Sequence, residues 1–163
     1  MRAASYGPDL LTGTNRTFEV DAGDWDATTG CTVAASADEA KLGSQSLKST
    51  LATETTSFRR TLARISPANV GMSVSKTYEV EYWIKHAGTF AGTTCSIYNR
   101  NLDGSSVNAI TTVNPSTSWQ MVVARITLGA VDLSGLVEVY ASGTIPDQND
   151  ICYIDEVRIR EVL

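Results

Sequence analysis

The sequence predicts an all-β fold, an antiparallel β-sandwich, and three observations predict it. Apolar and polar residues alternate in short runs along most of the chain, which is the period of a half-buried strand. Clusters of Gly, Asn, Asp, Ser and Pro separate these runs: "DAGD", "HAGTFAGT", "NLDGSS", "VNPSTS", "LSGL" and "IPDQND". Helical periodicity is nearly absent, which argues against parallel strands joined by helical crossovers.

Taken in order, residues 1–10 read as an N-terminal arm and residues 11–163 as one sandwich domain. "RTFEV" puts Phe18 and Val20 on one side of a strand. "EVDAGDWD" reads as a solvated acidic turn whose Trp25 covers the core, because it lacks the glycine and glutamate positions of an EF-hand loop. "SADEAKLG" is the best helix candidate, with Ser36 as cap, Glu39 three residues on and Gly43 to end it. "SQSLKSTL" sets Leu47 against Ser46 and Lys48, and "SFRRTLARI" alternates poorly around Phe58, Leu62 and Ile65. "YEVEYWIK" gives a core face of Tyr78, Val80, Tyr82 and Ile84 and a polar face of Glu79, Glu81 and Lys85 that also carries Trp83. "TTCSIYNR" places Cys95 and Ile97 opposite Ser96 and Tyr98. A long run from Trp119 to Leu128 follows, then "LVEVYASG" with Glu138, Tyr140 and Ser142 on its polar side, and finally "ICYIDEVRIREVL".

Composition bounds the function. The 163 residues are 42% hydrophobic and 19% charged, which is globular. A net charge of -5 argues against a nucleic-acid partner. No apolar run approaches the ~20 residues of a membrane span. The start has no apolar signal core, so a chain made in a cytoplasm without a leader is expected. Cys31, Cys95 and Cys152 form no CxxC pair; a zinc site is not expected, and buried thiols are favoured over a disulfide. His86 is the single histidine and no Gly-x-Ser-x-Gly elbow exists, so no catalytic set is expected.

The order of five pieces then carries a resemblance: "NRTFEVDAGDW", "GSQSLK", "YEVEYWIK", Trp119 opening a strand, and "YIDEVRI". The chain resembles the carbohydrate-binding modules of the family 4/9/22 group over about Leu11 to Val162. Glu156 stands where that family has a second Asp, and no Asn-Gly-Asp precedes Phe18. The resemblance implies a galactose-binding-type jelly roll with two sheets of four to five strands. It also implies a structural calcium ion held by the Thr17 carbonyl, Glu19, a carbonyl near Lys41, and Asp155. Strand alternation puts Tyr153, Asp155, Val157 and Ile159 on one core-facing side. A carboxylate there needs a metal, backbone N–H donors or an arginine.

Aromatic rings interleaved with hydrogen-bonding groups mark a second region. Trp83, Tyr98, Arg100, Glu138 and Tyr140 are expected to share a sheet face. Three readings stay open for that face: a glycan platform, an interface with a neighbouring subunit or protein, or rings simply covered by the fold. The leading functional expectation is a non-catalytic jelly-roll module on a virion surface, as a bacteriophage capsid decoration or tail-associated protein, with glycan binding possible in addition. The partners would then be virion proteins, carbohydrate or both, with a homo-oligomer left open. The alternative is a carbohydrate-binding module that recognises polysaccharide for an enzyme, in an extracellular setting.

Overall fold

A computed structural model describes residues 4–27, 30–51, 59–87, 94–100, 107–113, 116–129, 136–142 and 150–163, with side chains for all of these except 59–62, 94–100, 107–113 and 136–142. Ten strands are described: β1 (Tyr6–Asp9), β2 (Cys31–Ser36), β3 (Ser46–Leu51), β4 (Arg59–Ile65), β5 (Thr77–His86), β6 (Thr94–Arg100), β7 (Val107–Val113), β8 (Gln120–Thr127), β9 (Leu136–Ser142) and β10 (Ile151–Val162). They form a jelly-roll sandwich. One sheet runs β2-β3-β10-β5-β8, with β1 also pairing β10, and the other runs β4-β9-β6-β7. Every described strand pair is antiparallel. The first sheet therefore holds six strands rather than the expected four to five, because β1 and β3 share one edge of the long β10.

Part of the expected arm is that extra strand. Tyr6 pairs Val162 and Asp9 pairs Arg160, so residues 6–9 belong to the sheet. Two other local expectations change. "RTFEV" is no strand: Thr14–Thr17 is a single helical turn (α1), and the fully buried Phe18 ends it with a left-handed φ of 56°. "SADEAKLG" forms no helix; Ser36 closes β2, and residues 37–45 run as an irregular segment.

The core is built as "YEVEYWIK" dictates. Tyr78, Val80, Tyr82 and Ile84 are all buried, facing Val122, Ala124 and Ile126 of β8 and Ile154 and Ile159 of β10 in one cluster. Ala63 and Ile65 of β4 join it from the opposite sheet, closing the sandwich. Trp25 packs edge-on to Phe18, with centroids 6.3 Å apart, and its Nε1 donates to the Asn15 carbonyl. Cys31 on β2 and Cys152 on β10 are separated by β3 and make no disulfide with each other.

The last strand carries the largest correction. Register slips between Asp155 and Arg158, where Glu156 takes φ 51°. This bulge puts two residues of β10 where the ladder has room for one, so alternation restarts beyond it. Ile154 lies opposite Ile84, and Ile159 opposite Val80, both inward. Asp155 pairs with Trp83 and lies on the outer face, not with Val157 and Ile159 as simple alternation predicts.

Candidate functional site

The outer face of the six-stranded sheet reads, row by row, Trp83 opposite Asp155 and Met121, Glu81 opposite Arg158 and Val123, and Glu79 opposite Arg160 and Arg125. Its lower rows form an ion ladder. Glu79 is buried and accepts from Tyr6, Arg125 and Arg160, while Glu81 pairs with Arg158 and Arg160. Its upper rows are roofed by residues 37–45. Asp155, fully buried, receives N–H bonds from Lys41 (2.8 Å) and Leu42 (3.1 Å) on Oδ2 and from Glu156 (2.7 Å) on Oδ1. Burial pushes its carboxyl above the ordinary carboxylate value, and the N–H bonds of Leu42, Lys41 and Glu156 pull the other way. Lys85 pairs with Glu39 at 2.9 Å, and the Lys41 ammonium lies 4.2 Å from the centroid of Trp83. Trp83 is thus half-buried beneath a pinned loop, stabilised by a cation over its ring.

The same loop closes a second feature. Glu19 accepts from the Ser44 hydroxyl at 2.6 Å and from the backbone N–H groups of Ser44 and Gln45. Those bonds, the Ser44 hydroxyl first, hold its carboxyl below the ordinary value of 4.5. Gly43 sits against it with φ 74°, and a Cβ there would lie 2.1 Å from Glu19 Oε1. Beside them is a cavity of about 110 Å³ lined by Thr17, Glu19, Leu42, Gly43 and Glu156. Of the four expected calcium ligands, Thr17 and Glu19 line it. Lys41 turns an N–H toward Asp155, and Glu156 is the second carboxylate at the wall. Among the described residues no three His, Cys, Asp or Glu side chains converge as a metal centre, so a cation here would need backbone oxygens as well. The two wall carboxylates are oxygen donors of the kind calcium takes, and both already have partners: Glu19 accepts from Ser44 and Gln45, and Glu156 pairs with Arg16 and Arg158.

The remaining expected residues lie on the other sheet. Tyr98 on β6 stands opposite Glu138 on β9, Tyr140 stands opposite Ser96, and Arg100 opposite Leu136. Across β9, Glu138 faces Arg64 of β4 and Tyr140 faces Thr61. Opposed residues of an antiparallel pair share a face. Ala63 and Ile65 are buried inward, so Arg64, Glu138 and Tyr98 form a row on the outer face. The side chains of Tyr98, Arg100, Glu138 and Tyr140 lie outside the described residues. By register these four positions fall on one face of the β4-β9-β6-β7 sheet, and Trp83, expected with them, belongs to the opposite sheet. Sequence reasoning missed Arg64 and its partner Asp26, which donate and accept two hydrogen bonds at 2.5 and 3.0 Å. Asp26 looked like one more acid in a turn; only the bridge between residues 26 and 64 shows that it extends the sheet. The lone histidine has a bland place at the end of β5, with Nδ1 2.5 Å from the Ala87 carbonyl.

Comparison with known proteins places this geometry. A family model described as "Carbohydrate binding domain" matches residues 12–147. No curated protein sequence matches the chain. Among solved structures, the CBM22-1 xylan-binding domain from Paenibacillus barcinonensis Xyn10C superposes with a TM-score of 0.76 at 22% identity, covering 98% of each chain. The C-terminal family 22 carbohydrate binding module of Clostridium thermocellum Xyn10B gives 0.68 at 20% identity, covering 96% of this chain and 93% of that one. The CBM22-1-GH10 modules of Clostridium thermocellum endo-1,4-beta-D-xylanase 10B, complexed with xylohexaose, give 0.71 at 16% identity; 93% of this chain is covered but only 28% of that one. These likenesses carry the fold, and the family is one of binding modules rather than catalysts. None of these matches bears on a virion role. The chain belongs to the carbohydrate-binding domain family, as a non-catalytic β-sandwich module.

Proposed function

We propose that this module recognises polysaccharide of the xylan class on behalf of an enzyme, through the outer face of the β4-β9-β6-β7 sheet. The observation that carries the reading is the row Arg64, Glu138 and Tyr98, with Tyr140 one step along β9, on a sheet face of a carbohydrate-binding family member. Aromatic rings suit the C–H faces of pyranoses, and carboxylate and guanidinium groups suit their hydroxyls. The ligand class is supported by the neighbours described as xylan-binding and by the one complexed with xylohexaose. Xylan is a polymer met outside cells, and an extracellular setting for the module is part of the same proposal. Isothermal titration with xylohexaose tests the reading. Tyr98→Ala and Tyr140→Ala are expected to lose binding by about tenfold or more each, on the scale of an aromatic hot spot. Trp83→Ala is expected to leave it unchanged. Loss of binding in Trp83→Ala alone would overturn the choice of face.

A calcium ion at the cavity beside Glu19 belongs to the same proposal as a structural element. Thr17, Glu19, Glu156 and the backbone at Leu42 and Gly43 would hold it. It would take over, at Glu156, the charge neutralisation that Arg16 and Arg158 supply, and tie α1, the roof loop and the β10 bulge together. Melting with and without EDTA tests it: a lowered Tm on chelation, restored by added calcium, is expected, and identical curves would remove the ion from the proposal.

A further inference from the structure

Trp25 and Asp26 are neighbours with opposite fates. Trp25 is 4% exposed and fixed in the core by Phe18 and by its bond to the Asn15 carbonyl. Residues 26 and 64 exchange both backbone hydrogen bonds, at 3.1 and 2.9 Å, as one rung of antiparallel ladder. With Trp25 driven inward, Asp26 projects outward, onto the same face as Arg64. Its side chain is 61% exposed, and Arg64 grips it through Nε and one terminal nitrogen. The rung lengthens the row on the sheet: Asp26, Arg64, Glu138, Tyr98.

The fork grip has a chemical consequence. A carboxylate offers about four acceptor positions, and a bidentate guanidinium fills two while fixing the plane of the group. The fork takes the two converging positions, one on each oxygen, and the two that remain diverge, so each suits a single sugar hydroxyl. We propose that Asp26 is a sugar-contacting residue that accepts a hydrogen bond from one hydroxyl of a pyranose lying across this sheet, with Arg64 as its positioning residue. This rests on the reading of the β4-β9-β6-β7 face as the carbohydrate surface. It adds a subsite at the β4 edge and a preference for sugars whose hydroxyl at that point is unsubstituted.

The test is titration of the intact chain with xylohexaose, cellohexaose and mannohexaose, alongside Asp26→Ala, Asp26→Asn, Arg64→Lys and Tyr140→Ala. Asp26→Ala is expected to weaken the bound sugar by about tenfold or more, the worth of a hydrogen bond to a charged group. Asp26→Asn, nearly the same shape, should lose less but measurably, with Tm unchanged. The carboxylate 13C resonance of Asp26 should move on sugar addition, and move less in Arg64→Lys, which keeps the charge but not the fork. A structural role alone would shift Tm and leave that resonance still. Wild-type affinity in both Asp26 variants, with loss in Tyr140→Ala, overturns the Asp26 subsite and leaves the carbohydrate face standing. No binding of any of the three sugars by the wild type overturns both.

Discussion

Gly43 shows how one residue holds a loop in place. Its φ of 74° lies in the left-handed region, and its missing Cβ is what lets Glu19 approach. Gly43→Ala meets both obstacles at once. It is expected to cost about 1–3 kcal/mol, read as a Tm drop of about 2–12 °C for a domain of this size. A Gly43→Ala variant that melts with the wild type would mean the loop has room that the geometry denies it. Asp155 teaches a related lesson about legibility. Its need for donors was readable from a carboxylate inside an apolar strand, but the inward side expected for it was not where it is buried: it lies on the outer face, under residues 37–45. Its actual donors, the N–H groups of Lys41, Leu42 and Glu156, were not readable. Two of the three lie more than a hundred residues away in sequence, and only tertiary packing brings them there.

At the scale of the element, β10 is the piece on which sequence pattern fails most instructively. Its length and position are legible, and so is its apolar content. The inward and outward assignment is not, because a single left-handed residue in mid-strand reverses the alternation beyond it. Deleting Glu156 would remove the bulge and leave a regular strand, with Val157 and Ile159 still inward and Arg158 and Arg160 still outward, while taking away the partner of Arg16 and Arg158 and one N–H donor to Asp155. The shortened chain is expected to fold with a wild-type near-UV circular dichroism spectrum and a lowered Tm. An insoluble or unfolded variant would show that the bulge itself, and not only the register, is required. The strands missed in the sequence have a plainer cause. "CTVAAS" of β2 and "VNAITTV" of β7 are short and made of small or hydroxylated residues, and they carry little hydrophobic contrast. Their neighbours recruit them into ladders that their own pattern hardly signals.

At the scale of the whole molecule the two outer faces divide the work. The six-stranded sheet spends much of its outer face on internal contacts, the ladder around Glu79 and Glu81 and the roof of residues 37–45 over Trp83 and Asp155, and leaves Met121 and Val123 of β8 exposed. The four-stranded sheet presents Arg64, Glu138, Tyr98 and Tyr140 in register across three strands. Alternation alone can say that a tryptophan points outward, but it cannot say from which sheet, since both sheets have an outside. That is why Trp83 was grouped with positions that the register places on the other sheet. The division is tested most directly by following backbone amide shifts of the isotope-labelled chain during titration with xylohexaose. Perturbations centred on residues 26, 59–65, 94–100 and 136–142, with 79–85 and 120–127 still, are expected; shifts centred on Trp83, Met121 and Val123 would contradict the assignment of the sugar face.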